Sequence, residues 1–454
     1  MMKKNYTIIR LLGIFMVLGG MLSCSKFLEE KSNFSLQTPN TLESLQGILD
    51  NSIDMNMNVP VFGDIHSDDY FFTEKEFNAV DDQSRGFYTW VGFPYNYPDD
   101  WALMYVPVYQ VNVVLDALPK VEGIQREKDR IKGAALFFRA YQYLQGMWIF
   151  AKPWDPQTSD TDLGIVLRLT SDQSVPSKRS TVSACYRQVI GDLVTAAGLL
   201  PDLAESPMRP SKIACYGALS RTYLSIGKYD SAFYYADKVL KVKKDLIDYN
   251  DFSSSDLLKP YPLSRLNKET VFYAQLTTSY PNLHPSYGLV DTMLYASYAD
   301  NDIRKMLFFK VRNGYRSFKG NYTSAFNLFG GMATDEMLLI RAETSIRLGN
   351  VESGLDDLNT LLMKRIKKGN FIPYVGFNKE DALKLIKKER RKELLMRGLR
   401  WMDIKRYNKY DGDNIKLMRY ISGTEYELAP NSNRYALPLP TDIILLTGME
   451  QNPL

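Results

Sequence analysis

The chain has 454 residues, 45% hydrophobic and 24% charged, which is enough to bury a large core in one or two domains. Its formal net charge is +4, and Lys3, Lys4 and Arg10 at its start contribute three of those charges, so the remainder gives no support to a nucleic-acid partner. There are 2 histidines, His66 and His284, too few for a histidine metal cage or a Ser-His-Asp triad. We therefore expect no metal and no cofactor.

Residues 1–23 have the pattern of a secretory signal. A basic start precedes an apolar run over residues 11–22, which is shorter than the roughly 20 residues that span a bilayer. The run ends in Ser23-Cys24, and small residues before a cysteine resemble a bacterial lipobox. That resemblance implies that Cys24 becomes the lipidated (palmitate-bearing) first residue, with residues 24–40 as a tether to the membrane. The alternative is a plain signal peptide with an incidental cysteine.

The body of the chain alternates helical and irregular stretches. A first helix is predicted over residues 42–53, and helical periodicity is then lost over residues 59–100, where acids, Gly, Pro and aromatics alternate. A long loop with many aromatic residues is usually functional. Residues 277–331 form a second irregular region that is rich in Tyr and Phe.

Helices are predicted in pairs between and after these two regions. Helical spacing and proline stops delimit residues 101–118, 125–150, 181–200, 211–226, 231–240, 334–348 and 351–367, with a short strand at 271–276. Tyr223, Gly227 and Ala232 match tetratricopeptide spacing, and Gly354 and Leu358 repeat its later part. We expect tetratricopeptide-like hairpins near residues 101–150, 181–243 and 334–367.

Residues 389–406 combine dense charge with apolar bulk and contain no proline. Glu389 to Lys392 and Glu393 to Arg397 are each about one turn apart, so opposite charges can meet along a helix. Gly398 inside the run indicates a close neighbour or a break between two helical pieces. Composition leaves two interpretations open, a solvated charged face and a helix that ties several loops together.

Five segments together resemble the SusD/RagB family of outer-membrane lipoproteins from Bacteroidetes. They are the start at Cys24, the helix around residues 134–141, the loop at 289–304, the run from 389 to 403, and the end with Leu437-Pro438-Leu439-Pro440. The matching residues of the run are Glu389, Arg390, Glu393, Gly398, Arg400, Trp401 and Asp403. The resemblance implies a mostly α fold with minor β structure, in which residues 41–454 form a single SusD-like domain.

The resemblance also implies a function. The chain is then a cell-surface, lipid-anchored outer-membrane protein and not an enzyme. It captures an oligosaccharide or polysaccharide and delivers it to a SusC-like TonB-dependent transporter barrel. Two alternatives stay open, a peptide-binding member of the same family and a helical interaction scaffold without a small ligand.

Sugar rings present apolar C–H faces to aromatic rings and hydroxyl edges to polar groups. The candidate ligand-binding residues therefore lie in the two aromatic regions: Trp90, Tyr95, Asn96, Tyr97, Tyr280, His284 and Tyr287. The residues of the 389–406 run are expected to be structural, with Leu394 and Trp401 packed inward. Cys185 and Cys215 lie in helix-like stretches, where two buried thiols are favoured over the alternative of a disulfide.

Overall fold

The longest helix begins at Gln125 and ends at Phe150, as its periodicity predicts. It belongs to a computed structural model that describes residues 39–91 and 94–453, so the predicted signal sequence, Cys24 and most of the expected tether lie outside the described residues. The elements before it are α1 (Leu42–Asp50), α2 (Ser52–Asn56), α3 (Phe62–His66), β1 (Tyr70–Phe71), α4 (Glu74–Ala79), α5 (Asp82–Thr89) and α6 (Asp100–Ala117).

The expectation of a wholly irregular region over residues 59–100 is wrong, because α3, α4 and α5 lie within it. Each of these helices has five to eight residues, too few to show a repeating apolar face. Local capping supports α5, where the Asp81 side chain accepts a hydrogen bond from the Ser84 backbone N–H at 2.8 Å.

Hairpins of helices form the largest part of the core. The elements of the middle of the chain are α7 (Gln125–Phe150), β2 (Leu163–Val166), β3 (Arg179–Thr181), α8 (Val182–Leu199), α9 (Lys212–Ser225) and α10 (Tyr229–Val242). Helix α7 packs against α6 and α8, and α9 packs against α10. By length and composition α6 could span a bilayer, but 50% of its apolar window is buried against this core.

The second half of the chain adds short elements and a further hairpin. They are α11 (Ser254–Leu258), β4 (Thr270–Phe272), β5 (Leu289–Val290), α12 (Thr292–Ala296), α13 (Arg304–Leu307), β6 (Phe309–Arg312), β7 (Tyr315–Phe318), β8 (Met332–Ala333), α14 (Thr334–Arg347), α15 (Val351–Leu362), α16 (Lys379–Glu393), α17 (Arg400–Arg406), β9 (Leu417–Ile421), β10 (Thr424–Leu428) and α18 (Thr441–Thr447). Helices α14 and α15 pack closely because Gly354 has no side chain: a Cβ there would lie 2.6 Å from the Ala342 carbonyl oxygen.

Within residues 39–91 and 94–453 the strands pair only in twos. Five antiparallel two-stranded sheets are formed by β1–β5, β2–β3, β4–β8, β6–β7 and β9–β10. The mostly helical fold with minor β structure is therefore confirmed. Cys185 and Cys215 are both buried and both free, which agrees with the favoured interpretation of two buried thiols and contradicts the disulfide.

The 389–406 run is two helices with a break between them. Gly398 has φ +74°, and its backbone N–H donates to the Asp64 carboxylate at 2.7 Å. A Cβ at Gly398 would also lie 3.1 Å from the Leu276 side chain, so both sequence explanations for this glycine hold. Leu394 and Trp401 are buried, as expected.

The charges of this run are buried in the protein and do not form a solvated face. Arg304 donates to Glu393 at 2.9 Å and to Glu389 at 2.7 Å, while Arg365 donates to the other oxygen of Glu393 at 2.7 Å. The expected pairing of Glu393 with Arg397 is wrong, because Arg397 pairs with Asp335 at 2.8 Å. The run therefore ties distant segments together through long-range ion pairs.

A second set of ion pairs extends from the same run. Asp403 accepts from Arg390 at 2.9 Å and from Arg406 at 2.8 Å, and Arg400 holds both oxygens of Asp68 at 2.7 and 2.9 Å. The expected pair of Glu389 with Lys392 is present at 2.8 Å. Because each buried charge has an opposite charge beside it, this network can exist in the interior.

Candidate ligand-binding groove

The two aromatic regions of the sequence meet in the fold. The backbone N–H of Thr277 donates to the Val59 carbonyl at 2.8 Å, and the Val59 N–H donates to Gln275 at 3.2 Å. Further along, Tyr70 in β1 is paired with Val290 in β5. Residues that are about two hundred positions apart in sequence are thereby held side by side by backbone hydrogen bonds.

A groove of about 350 Å³ opens where these regions meet. Its walls come from one stretch of chain after β4, together with single residues of the facing loops. The lining residues are Val61, Thr277, Thr278, Ser279, Tyr280, Pro281, Leu283, His284, Tyr287, Phe326 and Leu328. Three of the seven residues predicted to bind ligand, Tyr280, His284 and Tyr287, therefore line one groove.

Aromatic rings form one wall of the groove. The His284 ring lies 5.0 Å from the Phe326 ring, edge to face, and 6.2 Å from the Tyr287 ring, centroid to centroid. Phe326 has 43% of its surface exposed, whereas Tyr280 is nearly buried and directs its hydroxyl at the Pro98 carbonyl, 3.3 Å away. The exposed part of this wall suits an apolar ring face.

His284 supplies a hydrogen-bond donor to this wall. Its Nδ1 accepts from the Ser286 backbone N–H at 3.1 Å, which assigns the proton of the neutral ring to Nε2. Burial lowers the pKa of His284, and the nearby Lys310 and Arg312 lower it further. The ring is therefore neutral at pH 7 and offers an N–H to a ligand oxygen.

The loop that carries His284 is closed on itself. The His284 carbonyl accepts from the Tyr287 N–H at 2.8 Å and from the Gly288 N–H at 3.0 Å. A Cβ at Gly288 would lie 2.6 Å from the Asn282 carbonyl oxygen, so only glycine fits there. Asn282 is buried and donates to the Ser84 carbonyl at 2.9 Å, which anchors the loop to α5. The groove wall is thus held in place before any ligand arrives.

Comparison with family models decides the relationship of the chain to known proteins. Residues 26–224 match a model described as "Starch-binding associating with outer membrane", and residues 295–454 match the model of the SusD family. The chain belongs to the SusD/RagB family. The members of this family are binding proteins that are generally outer-membrane surface lipoproteins, and glycan binding is supported at the level of the family.

Solved structures of the SusD superfamily share the fold. A superfamily protein from Bacteroides thetaiotaomicron has a TM-score of 0.74 at 20% identity and covers 91% of this chain and 100% of its own. One from Bacteroides vulgatus has a TM-score of 0.73 at 21% identity, covering 91% and 99%. A laminarin-binding SusD-like protein has a TM-score of 0.63 at 19% identity, covering 90% and 97%. No curated protein sequence matches the chain.

Two of the predicted ligand residues of this SusD/RagB chain are buried away from the groove. Trp90 is 5% exposed, and its Nε1 donates to the His66 carbonyl at 3.0 Å. Tyr95 is 2% exposed, packs on Phe62 at 5.5 Å and donates its hydroxyl to the Pro438 carbonyl. Neither ring presents a face to solvent, so the interpretation of Trp90 and Tyr95 as stacking platforms does not fit the structure.

Asn96 and Tyr97 lie at the surface beside the start of α18. The Asn96 side-chain oxygen accepts from the Asp442 backbone N–H at 3.3 Å, and Tyr97 is 68% exposed. Neither residue lines the groove. Their role in ligand binding stays a prediction.

The groove contains one aromatic residue that the sequence did not single out. Phe326 lies in the second aromatic region, three positions before Phe329, which is fully buried. Both are apolar residues in an irregular stretch without periodicity, so no local signal separates the exposed ring from the buried one. The residues of the 389–406 run do not line the groove, in agreement with a structural role.

Proposed function

We propose that this protein binds a glycan in the groove lined by Tyr287, His284 and Phe326. The observation that supports this most directly is that the aromatic side chains of the second irregular region line one preformed concave surface, to which the first irregular region contributes Val61. Tyr287 and Phe326 would stack on the apolar faces of sugar rings, while the His284 N–H and the hydroxyls of Thr278 and Ser279 would bond ring substituents.

We further propose that the chain has no catalytic role. Glycoside hydrolysis needs two carboxyl groups about 5–10 Å apart in a cleft. Among the described residues that line the groove, none is acidic. The buried carboxyl of Asp100, which contacts the lining residue Thr277, is occupied by hydrogen bonds from the Thr277 hydroxyl and from the Phe62 backbone N–H. The groove therefore suits capture better than cleavage.

The cellular setting completes the proposal. Residues 1–23 would be the signal peptide, Cys24 the lipidated residue, residues 24–40 the tether and residues 41–454 a single binding domain. The protein would sit on the outer surface of the outer membrane and pass its glycan to a TonB-dependent barrel. Cys24→Ala tests the anchor: loss of partition into outer membranes is expected, and continued stable partition would contradict the lipoprotein assignment.

Titration of the purified mature protein against a panel of polysaccharides tests the ligand-binding function. We expect binding to at least one glycan, and we expect Tyr287→Ala to weaken it while the fold is kept. The matched control is Tyr234→Ala, because Tyr234 is 52% exposed on α10 and does not line the groove. Equal losses from both variants would contradict the groove as the site. Binding of peptides in place of glycans would favour the peptide-binding alternative. If the protein binds the transporter barrel but neither glycans nor peptides, the scaffold alternative would be favoured.

A further inference from the structure

The hairpin of β6 and β7 carries an unbalanced positive charge. Residues 309–319 contain Lys310, Arg312, Arg316 and Lys319 and no acidic residue. The hairpin is regular, with Lys310 opposite Ser317 and Arg312 opposite Tyr315. Its charge has no counterpart within the hairpin itself, so any balance must come from neighbouring segments.

One face of this hairpin borders the groove. The Arg312 Nη1 donates to the Tyr287 carbonyl at 3.3 Å, and Tyr287 lines the groove. Residues two apart on a strand share a face and lie about 6–7 Å from each other. Lys310 therefore projects from the same face as Arg312. The influence of both charges on His284 agrees with this placement.

Three of the four cations have partners in other parts of the protein. Arg312 pairs with Glu76 at 3.1 Å, Arg316 lies 4.7 Å from the centroid of the Tyr295 ring, and Lys319 is buried and donates to the Lys259 carbonyl at 3.1 Å. Lys310 is exposed, and within the described part of the chain no carboxylate lies within 4.0 Å of its ammonium group. It is the cation that remains available to a ligand.

The acidic side chains beside Tyr280 do not supply a strong negative charge to the groove. Asp99 and Asp100 raise the pKa of Tyr280, after the larger effect of burial. Burial also raises the pKa of Asp99 to about 6 and the pKa of Asp100 to about 7, so both carboxyl groups are partly protonated near neutral pH. A negatively charged substituent is therefore favoured beside His284 and Lys310.

We propose that the ligand of this groove is an acidic glycan, bound with a uronate carboxylate or a sulfate ester at the Lys310 and His284 end. The inference rests on the proposed glycan-binding function and adds the class of the sugar. Lys310 would attract the anion and the His284 Nε2–H would donate to it, while Tyr287 and Phe326 would hold the ring.

The test compares each acidic glycan with its own neutral form. The probes are oligogalacturonate with its carboxyl-reduced product, and a sulfated galactan (carrageenan) oligosaccharide with its desulfated product, which carries no other acidic group. We expect tighter binding of an acidic form, weakened by added salt, and the two arms separate carboxylate from sulfate recognition. Lys310→Gln should weaken the acidic form about two- to five-fold, the range of an exposed ion pair, and leave the neutral form unchanged.

A second lysine provides the control. Lys241 is exposed on α10 and does not line the groove, so Lys241→Gln should leave both affinities unchanged. Neutral forms that bind as tightly as the acidic ones, with Lys310→Gln without effect, would overturn the inference and leave the proposed function intact. The absence of binding to any acidic or neutral glycan would overturn both.

Discussion

The guanidinium carbon of Arg419 lies 4.5 Å from the centroid of the Trp90 ring. The same group lies 4.1 Å from the Tyr88 ring and donates to the backbone carbonyls of Tyr88 and Ser67. Trp90 thus covers a buried cation that is bound by carbonyl oxygens and by aromatic ring faces. The attraction between a cation and a ring face is favourable when both are removed from water. This contact explains why the most conspicuous aromatic residue of the first irregular region is not available to a ligand.

Trp90→Ala is therefore expected to affect stability and not recognition. Removal of the buried indole should lower the free energy of unfolding by about 3–5 kcal/mol, because a cavity forms and Arg419 loses its contact with the indole ring. Denaturant unfolding followed by circular dichroism measures the loss, and Tyr97→Ala at the exposed surface should change it by less than about 0.5 kcal/mol. A stable Trp90→Ala protein with reduced glycan affinity would contradict this role.

Phe326 and Phe329 offer a matched pair three positions apart. Phe326 is exposed in the groove, so Phe326→Ala should weaken the free energy of glycan binding by about 1–3 kcal/mol, as expected for a central aromatic contact. The same change should lower the stability of the fold only slightly. Phe329 is fully buried, so Phe329→Ala should cost about 3–5 kcal/mol of folding free energy. Calorimetric titration and urea unfolding separate the two effects. An unaltered affinity of Phe326→Ala for a glycan that binds the wild type would remove Phe326 from the site.

Glu393 is expected to be a critical residue of the buried ion network. Its two oxygens accept from Arg304 and Arg365, and all three side chains are fully buried. Glu393→Gln should lower the free energy of unfolding by about 3–5 kcal/mol, because Arg304 and Arg365 each lose a buried counter-charge. Glu380→Gln, at an exposed pair with Lys384 on the same helix, should cost less than about 1 kcal/mol. Similar unfolding midpoints for the two variants would argue against the network as a source of stability.

Asp64 should make the stability of the protein depend on pH. Burial raises the pKa of Asp64 to about 7, although the Gly398 N–H opposes the shift. A raised pKa means that the folded state holds the proton more tightly than the unfolded state. The stabilisation that comes from the proton on Asp64 is fully present below about pH 4 and is lost as pH rises through 7.

Asp64→Asn isolates this effect, since asparagine has no proton to lose. The stability of the variant relative to the wild type should rise between about pH 4 and pH 7, by on the order of 4 kcal/mol, and then level off. Urea unfolding of both proteins at pH 4 and pH 8 measures the change. Stability curves that run parallel across this interval would show that Asp64 titrates normally in the folded protein.

The sequence by itself determined the long helices and the family. The apolar stripe and the proline stop of residues 125–150 predict α7 to the residue, because a long helix repeats its signal over many turns. Gly398 is similarly informative, since a glycine inside a charged helix indicates a break or a close neighbour, and the structure has both. The segments that resemble the SusD/RagB family are largely these regular or turn-forming ones.

Only the tertiary structure decided which aromatic residues face the groove and which charges pair. Trp90 and Tyr287 are both aromatic residues of stretches that the sequence predicts to be irregular. In the structure, Arg419 packs on the Trp90 ring from more than three hundred positions away in sequence, and it does not cover Tyr287. Glu393 likewise binds Arg304 and Arg365 instead of Arg397, its partner in the predicted helix. Burial and ion pairing depend on distant segments that converge in space, and no local pattern records that convergence.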